Sequence, residues 1–213
     1  MGVVGIVALA ADRLTLNRGE RNLFTDLSFS VNGGEALILR GANGVGKTSL
    51  LRVLAGLTMP DSGNIFLNNT NVKPLSESSR QHIHYVAHAN QLKDELTAEE
   101  NLSDALAIDG VTTTLETRLD ALNRVGLLKQ RQVLANKLSQ GQKRRIGIAN
   151  LLLNQKPIWL LDEPTNALDA DAVTLMLAII DNHLTNGGLS VIATHLALAL
   201  NHPSDDLTLT EPK

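Results

Sequence analysis

Three groups of residues in this chain have the types and spacing to do chemistry on a phosphate. The first is Gly41-Ala42-Asn43-Gly44-Val45-Gly46-Lys47-Thr48, followed by Ser49, a match to the pattern G-x-x-x-x-G-K-[ST]. Glycines let successive backbone N–H groups curl around phosphate oxygens, and a helix that starts behind them turns its positive end to the same anion. Lys47 then reaches the β- and γ-phosphates, and the Thr48 hydroxyl stands where it can ligate Mg²⁺. The plain alternative is a glycine turn that only packs a helix on a sheet. The second group is Asp162-Glu163, at the end of the apolar run Ile158-Trp159-Leu160-Leu161. Asp162 can hold Mg²⁺ through its water shell, and Glu163 can orient and partly deprotonate an attacking water, a role worth about 10²–10⁴-fold. The alternative for Asp162 is a cap on the turn before Pro164. The third group is Leu138-Ser139-Gln140-Gly141-Gln142. A serine N-cap and a glycine at a helix start read either as a second anion site or as ordinary capping.

Such groups work only if strands and helices deliver them to common places. Ala36 to Leu39 is a continuous apolar run bounded by glycines, as a strand covered on both faces requires. The helix after Lys47 sets Leu50, Val53, Leu54 and Leu57 on one stripe. Leu27 to Val31 alternates with period two, ends at Asn32-Gly33-Gly34, and finds its companion strand in Arg13 to Leu16. Further strands are predicted at Ile65 to Leu67, His84 to Val86, Ile158 to Leu161 and Ser190 to Thr194, with a polar loop before His84. From Thr97 the texture is helical, and capping boxes are predicted at Thr97 with Glu100 and at Thr113 with Glu116. Leu115, Leu119 and Leu122 make an apolar face for the second of these helices, and Ile146, Ala149 and Leu153 one for a third. A last helix places Val173, Leu177, Ile180 and Leu184 on one side and is closed by Asn186-Gly187-Gly188. The segment 93–153 thus reads as a helical subdomain inserted into one α/β domain spanning 1–213. The tail from Asp205 to Lys213 receives no role.

Composition bounds the function. With 213 residues and 43% hydrophobic residues, the chain can build one α/β domain with a small satellite. A formal net charge of −3 supplies no basic field, so nucleic acid is not expected as a partner. The absence of cysteine excludes disulfides and thiolate metal sites and fits a reducing compartment. Phe24, Phe29, Phe66, Tyr85 and Trp159 are all the aromatics, which leaves little for stacking on a base. Val3 to Ala11 is apolar but too short to span a bilayer, and reads as the approach to a first strand or as a signal segment. No later stretch reaches transmembrane length, so a membrane role must come through a partner.

Together with Leu161-Asp162-Glu163-Pro164, Ala167-Leu168-Asp169 and Thr194-His195, the glycine loop and the Ser139 segment resemble the ATP-binding subunits of ABC transporters, from about Leu14 to His195. The resemblance implies an α/β fold, a P-loop NTPase core with a mixed sheet plus the inserted helical subdomain, and an ATPase using ATP and Mg²⁺. It further implies a homodimer paired head to tail, in which the loop Gly41 to Thr48 of one copy and the signature Ser139 to Gln142 of the other enclose one nucleotide. In that arrangement Ser139 and Gly141 touch the γ-phosphate, Lys47 and Glu163 are catalytic, and Thr48 and Asp162 serve the metal. His195 resembles the switch histidine at the γ-phosphate, and Asp169 the residue that links the two sites. Two positions depart from the family. Where an aromatic stacks on adenine the chain has Asn17-Arg18-Gly19-Glu20, of which Arg18 can stack by its guanidinium plane. Where a glutamine touches Mg²⁺ and the attacking water stands His88. Mg²⁺ takes oxygen ligands, so His88 is expected to act through a water or to sense a membrane partner.

The run His84-Tyr85-Val86-Ala87-His88, the stretch Glu95 to Leu102 and Gln142-Lys143-Arg144-Arg145 are similar to the heme-exporter branch of the family, which serves cytochrome c maturation. That resemblance implies integral membrane partners and a peripheral position on the cytoplasmic side of the plasma (inner) membrane or of an organellar inner membrane. It also implies ATP turnover that exports heme or releases a heme-loaded chaperone. No direct heme site is expected here, since the chain has no cysteine and none of its six histidines is read as a heme ligand. The alternatives are an exporter subunit for a drug, lipid or polysaccharide, and a soluble ABC ATPase outside transport.

Overall fold

A computed structural model describes residues 7–73, 76–88 and 92–210. The predicted approach to the first strand falls partly on Val3 to Ile6, outside the described residues, as does the end of the tail. The chain divides into two compact units. One is the chain up to Val86 with Lys156–Pro164 and the chain from Ile180 onward; the other is Ala87–Gln155 with Thr165–Ile179.

The first unit holds two sheets, so antiparallel and parallel pairing are both present but separated. In one, β1 (Ala8–Arg18), β2 (Arg21–Asn32), β4 (Ser62–Leu67) and β5 (Thr70–Asn71) pair antiparallel in the order β2-β1-β4-β5. In the other, β6 (Ile83–Val86), β7 (Ile158–Asp162), β8 (Leu189–Ala193), β3 (Ala36–Arg40) and β9 (Ser204–Thr208) run parallel in that order. Strands β7 and β8 are buried along their whole length and β3 up to its last residue. That is what a parallel sheet's continuous apolar runs are for. Strand β9 occupies the edge in the tail to which the sequence assigns no element. Its mostly exposed residues carry no hydrophobic period, and its place is set by pairing Ala36 through Arg40 with Ser204 through Thr208. The core lies where helix α1 (Lys47–Leu54) and the antiparallel sheet meet one face of the parallel sheet. Leu9, Leu14 and Ile65 belong to it with Leu50, Leu54, Leu39, Leu160 and Val191.

Several local expectations are corrected. Leu57 does not continue the α1 stripe: the helix closes after Leu54 with Gly56 N–H on the Val53 carbonyl and Leu57 N–H on that of Arg52. Beyond that turn Leu57 is 48% exposed. The polar stretch before β6 contains a short helix, α2 (Glu77–His82), capped by Ser76. In the second unit, α3 (Ala98–Ile108) has the predicted Thr97–Glu100 box, but α4 (Leu115–Arg124) is capped by Thr114, whose Oγ1 accepts the Thr117 N–H at 3.2 Å. Thr113 is taken by another partner, since its carbonyl and hydroxyl accept from Arg118, which also pairs with Glu99 of α3 at 2.6 Å. Leu115, at the helix start, is exposed, and Leu122 carries the packing with Leu102, Leu106 and Val125 in the same unit's apolar set. Helix α5 (Gln140–Leu153) buries Ile146, Ile148, Ala149 and Leu151, while Leu153 is only half-buried. Helix α6 (Ala170–Thr185) buries Ala172, Met176, Ile179, Ile180 and Leu184, so Ile180 and Leu184 of the predicted stripe are in the core while Val173 and Leu177 are only half-buried at its border. Its surface is apolar on more than one side, so spacing alone could not choose between them. The predicted closure is present: Gly187 N–H bonds to Leu184 O and Gly188 N–H to His183 O.

Candidate active site

Strand β3 delivers the glycine loop and α1 receives it. A side chain at Gly41 would bring its Cβ to 2.4 Å from the Leu209 carbonyl, and Gly46 holds φ at +118°, so both positions require glycine. Lys47 is buried and folds back over the loop, its Nζ donating to the carbonyls of Gly41 at 2.7 Å and Ala42 at 3.1 Å. Gly46 gives α1 no side-chain cap, and no acid stands in its first turn. The backbone donors of that turn and the positive end of the helix are therefore left to an anion. Ala42, Asn43 and Gly44 form the exposed lip, Val45 anchors it inside, and Ser49 is half-buried one residue beyond Thr48.

Strand β7 ends beside it. Asp162 is 2% exposed, and its Oδ2 accepts the Thr48 hydroxyl at 2.8 Å. A hydroxyl and a carboxylate are the hard oxygen donors Mg²⁺ takes. Among the described residues no cluster of three or more His, Cys, Asp or Glu could hold a metal. The donor set fits an ion that draws its other ligands from phosphate and water. Tyr85, on the neighbouring strand, has its phenol pushed above the ordinary value, first by burial and then by the Asp162 carboxylate, so it stays protonated.

Glu163 leaves the sheet with φ at +51°, a left-handed conformation uncommon for a residue with a side chain, held by its N–H on the Ala193 carbonyl at 2.8 Å. This turn aims its carboxylate at the end of the adjacent strand. Both oxygens lie 3.1–3.2 Å from His195 Nδ1. A carboxylate can only accept, so Nδ1 carries the hydrogen. The carboxylate is sheltered at 12% exposure while the His195 ring is 57% exposed.

The second unit holds the other candidates. Ser139 and Gln142 form a reciprocal capping box on α5: Gln142 N–H to Ser139 Oγ at 3.2 Å, and Ser139 N–H to Gln142 Oε1 at 2.9 Å. Gly141 passes 3.4 Å from the Ala167 carbonyl, measured from the Cβ it lacks. Asp169 caps α6 through the Ala172 N–H at 2.9 Å and takes both oxygens to Arg145 Nη2 at 3.0 and 2.7 Å. These contacts, the backbone bond first, hold its carboxyl below the ordinary range. The side chain of His88 is exposed. Lys47, Thr48, Asp162, Glu163 and His195 thus gather in the first unit, and Ser139, Gly141, Gln142, Asp169 and His88 belong to the second. Arg18 is exposed at the β1–β2 turn.

A family model described as ABC transporter matches residues 24–166, more than half of the chain. The chain belongs to the ABC transporter family. It is an ATP-hydrolysing subunit of the ABC type, related to the cytochrome c biogenesis ATP-binding export proteins. The protein of that name from Nitrosomonas europaea is 43% identical over 196 residues, covering 92% of each chain. Its counterpart from Vibrio cholerae is 37% identical over 96% of this chain and 100% of the relative. Among solved structures, the ATP-binding cassette MJ0796, a dimer in a post-hydrolysis state with ADP and Pi, superposes with a TM-score of 0.78 at 25% identity, covering 88% of both chains.

Three arginines of this ABC subunit receive no individual role from the sequence, where Arg144 and Arg145 enter only as part of the run Gln142 to Arg145. Arg40 closes β3 and donates to the Leu196 carbonyl, one residue after His195, while pairing with Asp206 on β9. Arg145 holds Asp169, and Arg144 is buried. Only Arg144 left a signal, because it shares a helical stripe with Ile148 and Leu151, where a charge is out of place. The stack of His183 on Trp159, with centroids 3.8 Å apart, left none.

Proposed function

We propose that this chain is one of two identical motor subunits of a membrane complex in cytochrome c maturation, and that its ATP hydrolysis exports heme or releases a heme-loaded chaperone. Likeness over nine tenths of both chains to proteins named for that export supports the assignment of cargo. In this reading the subunit is peripheral, on the cytoplasmic face, bound to integral membrane partners. Among the described residues no helix is long and apolar enough to cross a membrane.

The observation that carries the catalytic part is the pairing of Glu163 with His195 at adjacent strand ends, in the unit that also holds Lys47 and the Thr48–Asp162 contact. Lys47 exchanges its loop carbonyls for β- and γ-phosphate oxygens. Thr48, and Asp162 through water, would hold Mg²⁺, which would supply neutralisation of the charge that develops on the phosphates. Glu163 accepts a proton from the attacking water, and His195 keeps that carboxylate aimed. Loop residues Gly41 to Ser49 supply backbone donors from one side, and Ser139, Gly141 and Gln142 of a second copy close the other, with Asp169 linking the two sites. One copy alone offers too few donors for a triphosphate gathering charge in the transition state. His88, in place of the family's glutamine, reaches the attacking water through a bridging water.

Deletion of this chain should abolish covalent c-type cytochromes, and its return should restore them, read by heme-stained gels. Unchanged cytochromes after deletion would refute the cargo while leaving the ATPase standing.

A further inference from the structure

Helix α5 carries a charge on its buried side. Arg144 is four residues from Ile148 and seven from Leu151, both fully enclosed, and is itself only 6% exposed. A sheltered guanidinium is unfavourable unless acceptors take up its N–H groups. Two acceptors are the backbone carbonyls of Ala87 and His88, at 3.2 and 3.0 Å from Nη1. The two hydrogens of that nitrogen account for both bonds. The segment that follows β6 is therefore fastened to a helix more than fifty residues later in the chain.

That helix is the one whose cap is Ser139. Arg144 stands about one and a half turns beyond Ser139 on the same rigid rod. One element thus sets both the position of the signature and the backbone of His88, the position where this chain departs from its family. A lysine keeps the charge and can donate to carbonyls, as Lys47 does, but its ammonium on a flexible stem lacks the fixed planar fork and the reach of the guanidinium.

We infer that Arg144 is a positioning residue for His88. It fixes the backbone from which the His88 ring projects, and it has no part in binding the nucleotide. The inference rests on the reading of His88 given above.

The test is steady-state ATP hydrolysis by the full chain co-expressed with its membrane subunits, with Arg144→Met, Arg144→Lys, His88→Ala and the Arg144→Met/His88→Ala pair. Arg144→Met should lower kcat by roughly 10–100-fold, the scale of a misplaced group. KM for ATP, and ATP affinity by fluorescent-nucleotide titration, should stay within about twofold. Arg144→Lys should recover part of the loss. In the His88→Ala background Arg144→Met should lower kcat no further. Additive losses, or a raised KM with unchanged kcat, would overturn the inference and leave the His88 reading intact. A wild-type kcat for His88→Ala would sink that reading and the inference with it. If Arg144→Met does not accumulate as folded protein, Arg144→Lys carries the test: a lowered kcat in the His88 chain and none in the His88→Ala chain supports it, and equal losses overturn it.

Discussion

Helices α1 and α5 both start at a polar, glycine-flanked turn, yet their first turns are finished in opposite ways. In α1 no side chain caps the start and no residue of its first turn is acidic; in α5, Ser139 and Gln142 satisfy each other's backbone donors. An open start keeps its N–H groups and its dipole for an anion, while a boxed start has spent part of that capacity on itself. The Gly41 to Thr48 loop therefore keeps its backbone donors open to an anion within one chain. Ser139 can still serve a phosphate, because its oxygen accepts the Gln142 N–H while its own hydroxyl hydrogen stays available. Capping and phosphate contact are compatible at that residue, and the second is what a partner copy would call on.

The comparison can be broken at several points. The largest effect is expected beside the open start, just past the end of β7: Glu163→Gln should cut kcat by about 10²–10⁴-fold with ATP binding retained, and a loss of only a few-fold would remove the general base from its role. Next comes Ser139→Asp, which preserves an N-cap acceptor but sets a negative charge where the partner's γ-phosphate should lie. Thermal stability should hold while hydrolysis falls by roughly 10²-fold; equal activity would mean that Ser139 only caps.

A control away from both starts separates folding from chemistry. Burial holds His183 down to about 4, against an ordinary 6.5, with bonds to the Leu189 and Pro157 carbonyls opposing the shift. Between those values the unfolded chain binds a proton that the folded one refuses. This stabilising contribution is whole above pH 6.5 and is lost as pH falls toward 4, by about 2 kcal/mol between pH 7 and pH 5. Urea unfolding at the two pH values should show it, and His183→Phe should flatten the difference. The smallest effect is that of Ser139→Ala on stability, about 1 kcal/mol from the lost cap. A destabilisation of several kcal/mol would mean that the box holds more than its own helix.

Much of the first unit's candidate site was legible because its residues are neighbours in sequence. Lys47 and Thr48 are placed by a loop that local geometry builds, and Asp162 and Glu163 follow a strand whose burial is written in its apolar run. The β9 strand was not legible, since an exposed edge carries no hydrophobic period. Nor was the N-cap of α4, where Thr113 and Thr114 are chemically alike and the choice fell to Arg118 reaching in from the helix.

What the amino-acid order determined by itself is whatever depends on a few adjacent residues: the glycine loop, the Thr97 box, the Ser139 N-cap, the closure at Gly187 and the buried strands. Tertiary structure alone decided which distant groups meet. Glu163 finds His195, Asp169 finds Arg145, and the Ala87 and His88 carbonyls find Arg144. The physical reason is range. Backbone conformation and capping are settled within a turn or two of chain, whereas a buried charge takes whichever acceptor the packed core leaves within about 3 Å, and sequence separation sets no limit on that choice.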